Sequence, residues 1–228
     1  MGNCFEGMTK SRGGQMKYTY FPLHARGLPI LLALEVGGVD YVGKPLPFSQ
    51  WAEMKASGVC PFGYLALLEL ADGTKINETN AVAMTVGKRA GLLGQSEKDF
   101  GISTMLACKA AEVFTEFTKV QPTMFTVKNW DSAAAQKLLE WSPKCDDYLK
   151  QFEALCGADG KFTSEGNTVG ELHLWALLYH FKVVSFKLPL PPKLATFYAR
   201  IEALPAVQRC VTGKTQMGEL ADYVVPVP

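Results

Sequence analysis

The stretch Lys17-Tyr18-Thr19-Tyr20-Phe21-Pro22-Leu23-His24-Ala25-Arg26-Gly27-Leu28-Pro29-Ile30 decides how the rest of the chain is read. Its first five residues are rich in aromatic and β-branched types and stop at Pro22, which reads as a short strand. From Arg26 to Val36 the apolar residues Leu28, Leu31, Leu32 and Val36 recur at helical spacing. Pro29 falls in the first turn, where its missing N–H is tolerated, and Gly37-Gly38 closes the run. A strand therefore passes directly into a helix.

Working outward, Val39 to Val42 reads as a second strand and Trp51 to Ser57 as a short helix. Leu65 to Leu70 reads as a third strand, closed by the Asp72-Gly73 turn. Lys75 and Ile76 begin a fourth strand, and Asn77 to Ala90 reads as helical. The order is βαβ followed by ββα, the arrangement of thioredoxin-like domains. Beyond the glycine-containing connection Gly91 to Gln95, strand signals stop. Long helical patterns then cover Ile102 to Phe117 and Ala133 to Leu155. Gln121-Pro122, Gly157 to Gly160 and the prolines Pro189, Pro191 and Pro192 punctuate this half. Thr168-Val169-Gly170-Glu171 is a capping box that opens a helix carrying Leu172, Trp175 and Leu178. The expected fold class is thus α+β at the N-terminus followed by an all-α bundle. Residues 1–15 form a flexible tail, 16–91 the thioredoxin-like domain and 96–228 the helical domain.

Composition narrows the function classes. The 228 residues are 48% hydrophobic and 20% charged, which suits a packed globule and not a disordered chain. Lys and Arg number 23 against 22 Asp and Glu, so net charge supplies no pull toward a nucleic acid. The longest apolar run, Leu28 to Leu34, is far short of the ~20 residues that span a bilayer, and no secretory signal opens the sequence. A cytoplasmic protein is expected. Gly2 and Cys4 in Met1-Gly2-Asn3-Cys4 could together carry two acyl chains, but Glu6 stands where the acylation pattern wants Ser or Thr. No membrane partner is expected unless Gly2 and Cys4 are acylated. The six cysteines contain no CxxC pair and the three histidines no HExxH spacing. Reduced thiols, helix-face histidines and no metal follow. Cys60-Pro61-Phe62 has the residue types of a Cys-Pro-aromatic nucleophile. It precedes the third strand, however, instead of opening a helix whose dipole would lower the thiol pKa.

The pattern Tyr20-Phe21, four variable residues, Arg26, two more and Pro29 resembles the first strand and helix of sigma-class glutathione transferases, within the cytosolic alpha, mu, pi and sigma group. Further blocks match in order: Trp51 with Lys55 four residues on, Pro61-Phe62-Gly63 entering the third strand, and Glu78-Thr79-Asn80-Ala81-Val82 opening a helix. The resemblance covers most of the chain. It implies a homodimeric enzyme that takes glutathione as co-substrate in its first domain. A small hydrophobic electrophile would lie in a cleft against the second domain, for conjugation or isomerisation. The mean hydropathy of +0.05 is compatible with apolar surface left for a dimer interface.

The chemistry behind that implication is simple. A thiol with a pKa of about 8.5 is mostly protonated at neutral pH, so a donor aimed at the sulfur favours the reactive anion. Lowering that pKa by about two units takes roughly 2.7 kcal/mol. By resemblance Tyr20 is the catalytic phenol donating to sulfur, and Arg26 adds a fixed positive charge near it. Trp51 and Lys55, one helical turn apart, would face the glycyl carboxylate. Tyr64 and Leu65 lie in the loop that meets the cysteinyl part, while Glu78 and Thr79 would hold the γ-glutamyl end. Thr79 also reads as the helix N-cap. Three positions depart from the family pattern. Ala66 stands where the third strand begins with a cis-proline, and Tyr64 where Gln or Lys is usual. Ser103 or Thr104 replaces an acid that reaches across the dimer. These departures keep open an alternative: a non-catalytic protein of the same fold acting as a ligand carrier, a crystallin-like protein or an assembly subunit.

Overall fold

A computed structural model describes residues 14–121, 123 and 132–224. The N-terminal tail over 1–13, with Gly2 and Cys4, and Pro122 lie outside the described residues.

Strand β1 (Met16–Tyr20) buries Met16, Tyr18 and Tyr20 and leaves Lys17 and Thr19 less covered, the alternation of a strand with one face on the core. The chain turns through a two-residue strand β2 (Leu23–His24) into helix α1 (Leu28–Val36). Every residue from Leu28 to Leu34 is buried. A helix apolar on all sides must be covered on all sides, and α1 packs against the helices over Thr79–Ala90, Val169–Val183 and Pro205–Val211. Strand β3 (Tyr41–Pro45) starts two residues later than its sequence pattern suggests. The Val39 amide is consumed by the end of α1, donating to Leu34 O at 3.0 Å after Gly38 turns with φ of 59°. Helix α2 (Trp51–Ala56) follows a single 3-10 turn.

Strand β4 (Leu67–Glu69) is shorter than the apolar run Leu65 to Leu70, because Leu65 and Ala66 belong to the preceding loop; the peptide bond between them is cis. Strand β5 (Lys75–Asn77) takes Asn77, which reads as helical from sequence, so helix α3 runs Thr79–Ala90. The sheet order is β3-β1-β4-β5. The β1/β3 pair is parallel with Met16 opposite Tyr41, and the other two pairs are antiparallel, with Thr19 opposite Leu67 and Leu68 opposite Ile76. This is a thioredoxin-like sheet.

The rest is helical: α4 (Glu97–Val120), α5 (Ser132–Leu155), α6 (Val169–Val183), α7 (Pro192–Glu202) and α8 (Pro205–Val211). Helix α4 begins earlier than its apolar periodicity, since Ser96 caps it by accepting from Asp99 N at 3.1 Å. Helices α4 and α6 touch backbone to backbone. A Cβ on Gly170 would lie 1.9 Å from Ser103 O, and Gly170 N donates to Ser103 Oγ at 3.0 Å. Ser103 therefore faces α6, fully buried, and is not a group that reaches outward to a partner. The capping-box glutamate is present and does more than cap. Buried Glu171 accepts from Thr168 N at 3.0 Å, Thr168 Oγ1 at 2.9 Å, Phe162 N at 2.9 Å and Thr163 Oγ1 at 2.7 Å. Phe117, Phe181, Trp141 and Phe186 form an aromatic core with ring centroids 4.9 to 6.4 Å apart. Burying side chains of this size contributes roughly 1.5 to 3 kcal/mol each.

The C-terminal strand β6 (Ala221–Asp222) returns to the first half and pairs with β2 in parallel, Leu23 opposite Ala221 and His24 opposite Asp222. An isolated bridge joins Thr123 and Val224. Among the described residues no helix is long and apolar enough to cross a membrane.

Candidate active site

Tyr20 ends β1 and is 7% exposed. Its position depends on Gly27, because a Cβ there would lie 2.3 Å from Tyr20 Cδ1 and 2.6 Å from the Tyr18 hydroxyl. Tyr18 in turn donates to Gly27 O at 3.0 Å, which fastens the start of α1 to β1. Burial raises the Tyr20 pKa well above that of a free phenol, while the Arg26 charge and the Gly27 and Arg26 amides pull the other way. The phenol stays protonated across the physiological range and keeps its O–H to donate.

Arg26 is half-buried at the domain boundary. Its Nη2 donates to Thr115 Oγ1 on α4 at 2.8 Å, and its guanidinium lies 5.3 Å from the Phe114 ring centre. Tyr20, Phe21, Arg26, Phe114 and the C-terminal Tyr223 line one cleft of about 180 Å³. Tyr223 is carried there by β6, whose Asp222 accepts from the Tyr179 hydroxyl at 3.3 Å and lies 3.1 Å from His24 Nδ1. The hydrogen bond to His24 holds the Asp222 carboxyl below its usual range.

The other predicted residues fall into two groups. Trp51 is half-buried and meets Phe21 edge-on at 5.6 Å, and Phe21 stacks on Phe48 at 4.8 Å. Lys55, one turn along α2, is exposed, and its Cε would lie 3.8 Å from a Cβ on Gly63. In the second group, Tyr64 is 44% exposed and stacks on Phe62, while Leu65 is buried. Glu78 precedes α3 with φ of 95°, and its carboxylate accepts from Asn80 N at 2.9 Å and Ala81 N at 3.3 Å. The N-cap of α3 is therefore Glu78 and not Thr79. Thr79 is the first helical residue, buried, and lines a small cavity with Arg26, His173 and His180.

Several residues of this region carried no signal in the sequence. Asn77, buried at the end of β5, donates to Tyr64 O at 2.7 Å and Ala66 O at 2.6 Å and accepts from Phe62 N at 3.0 Å. Thr115 and Tyr223 act only through the tertiary fold. Of the histidines, His24 lies in a strand and not on a helix, while His173 and His180 lie on α6 as expected and are buried. Burial pushes His173 down to about 4 and His180 down to about 3, so both imidazoles are neutral. Among the described residues no cluster of three His, Cys, Asp or Glu side chains is arranged to hold a metal ion. Cys60 is buried with its thiol pKa pushed up, the opposite of an activated nucleophile.

A thioredoxin-like sheet joined to a helical bundle, with a tyrosine–arginine cleft at the junction, defines the glutathione transferase fold. The chain is 28% identical over 200 residues to a hematopoietic prostaglandin D synthase of Gallus gallus, covering 84% of this chain and 92% of that one. It is 24% identical over 204 residues to a "Probable glutathione S-transferase 5" of Caenorhabditis elegans, covering 86% and 94%. The solved structure of a prostaglandin synthase D of Nilaparvata lugens superposes with a TM-score of 0.70 at 20% identity, over 86% of this chain and 96% of that one. No protein-family model matches. The chain thus has the glutathione transferase fold and is similar in sequence, over most of its length, to a prostaglandin D synthase and a glutathione transferase.

Proposed function

We propose that the protein is a sigma-like glutathione transferase in which the Tyr20 phenol lowers the pKa of the glutathione thiol. The observation that carries this is the placement of a buried, protonated Tyr20 and a fixed Arg26 in one cleft between the two halves. A neutral phenol donates to the thiolate without competing for its charge, and Arg26 adds attraction that does not titrate. The thiol proton leaves to solvent, and the sulfur pair forms the new S–C bond as the electrophile's leaving group departs with its own electron pair. Phe114 and Tyr223 supply apolar walls for a small hydrophobic electrophile. Trp51 and Lys55 hold the glycyl carboxylate, the loop at Tyr64 and Leu65 the cysteinyl part, and the Glu78-Thr79 junction the γ-glutamyl end.

The same thiolate serves isomerisation if it attacks and is later expelled, a use favoured by the prostaglandin D synthase relative. The protein works as a cytoplasmic homodimer. Calorimetry with glutathione, followed by turnover of a chlorodinitrobenzene electrophile, tests the proposal. Saturable binding with turnover supports it. Binding without turnover points instead to a ligand carrier of the same fold.

A further inference from the structure

We infer that Asn77 is a positioning residue for glutathione, setting the spacing between the backbone segments that grip its cysteinyl and γ-glutamyl parts. The inference rests on the glutathione reading above. Asn77 is 4% exposed at the end of β5, directly before Glu78 and the start of α3. Its side-chain amide reaches back across the sheet edge to three backbone groups of a single loop: Phe62 N, Tyr64 O and Ala66 O, at 3.0, 2.7 and 2.6 Å. Both N–H donors and the carbonyl oxygen of the amide are used.

Leu65 and Ala66 anchor the end of the loop in the core, but the two aromatic side chains before them add little hold. Phe62 is 66% exposed and Tyr64 44% exposed, stacked on one another at the surface. Asn77 ties the Phe62, Tyr64 and Ala66 backbone groups together through a buried, satisfied amide whose loss would leave them unpaired. One residue ties the loop that would meet the cysteinyl part to the helix start that would meet the γ-glutamyl end. A tripeptide spanning both is sensitive to that distance; a ligand touching one end is not.

The experiment compares wild type with Asn77→Thr, which replaces the amide by a shorter hydroxyl, and Asn77→Asp, which turns an acceptor toward two carbonyls. Glutathione and the cysteinylglycine dipeptide, which lacks the γ-glutamyl end, are titrated by calorimetry, with circular dichroism confirming the folded fraction. The expected result is a glutathione Kd raised roughly ten- to a hundredfold in folded Asn77→Thr, and more in Asn77→Asp, as lost hydrogen bonds of this kind would give. The dipeptide should weaken by less than about threefold, and the kinetic loss should fall on KM more than kcat. An unchanged glutathione Kd in the folded Thr variant overturns the inference, as does equal weakening of both ligands. Should wild type fail to bind glutathione at all, the functional reading falls and takes this inference with it.

Discussion

Arg26 at the start of the first helix donates to the Thr115 hydroxyl on α4 at 2.8 Å, so the fixed charge of the cleft is held by the opposite half of the molecule. The same hydroxyl donates to Ala111 O at 2.7 Å, which leaves its lone pairs aimed at the guanidinium. Thr115→Val keeps the shape and removes the acceptor. It should lower kcat/KM roughly three- to tenfold while changing stability by about 1 kcal/mol or less. Steady-state rates beside denaturant melts check this. Unaltered kinetics would mean that the Phe114 contact alone places Arg26.

Gly27→Ala tests the support of Tyr20. The added methyl collides with the Tyr20 ring at 2.3 Å, so the ring must shift. A displaced phenol should cost at least about tenfold in kcat, because donation to an anion depends steeply on geometry. Full activity in a folded Gly27→Ala protein would show that the ring has room that the structure denies it.

The outline of the fold was legible because its signals are local. The aromatic and β-branched run Tyr18 to Phe21 stopping at Pro22 marks β1, Pro29 and Gly37 bracket α1, and Thr168 with Glu171 marks the start of α6. What escaped reading depends on distant partners. Asn77 looks like a helix-start residue until the loop it clamps is in place. Tyr223 reaches the cleft only because a two-residue strand pairs with Leu23-His24 from the far end of the chain. The shift of β3 away from Val39 reflects a cap hydrogen bond that composition does not record. Tyr20 and Arg26, by contrast, belong to one short segment and line the same cleft.

The buried histidines predict an acid-sensitive fold. His173 and His180 are pushed down to about 4 and about 3, whereas an exposed histidine titrates near 6.5. The unfolded chain therefore binds more protons below about 6.5, and stability falls as pH drops from there toward the folded values. The two together should remove on the order of 4 kcal/mol between pH 7 and pH 5. Urea melts across that range measure it, and a flat profile would contradict neutral burial of both rings.

Glu171 predicts a large structural cost at a position with no part in the chemistry. Its carboxylate is buried and accepts from Thr163, Thr168 and Phe162. Glu171→Gln turns an amide N–H₂ toward groups that already donate, and should destabilise by about 2 to 4 kcal/mol. Thermal melts would show it, and a loss under about 1 kcal/mol would mean that the network rearranges around the amide.

The central claim is that Tyr20 stabilises the thiolate of bound glutathione, and the ultraviolet absorbance of that thiolate, titrated against pH in wild type and Tyr20→Phe, tests it most directly. In wild type the bound thiol should titrate about two units below free glutathione. Removing one hydrogen bond to an anion should return it most of the way and slow turnover roughly ten- to a hundredfold. Glutathione affinity should change far less. Identical thiol pKa values in the two proteins, each saturated with glutathione, would contradict the account and leave Arg26 as the group to test next.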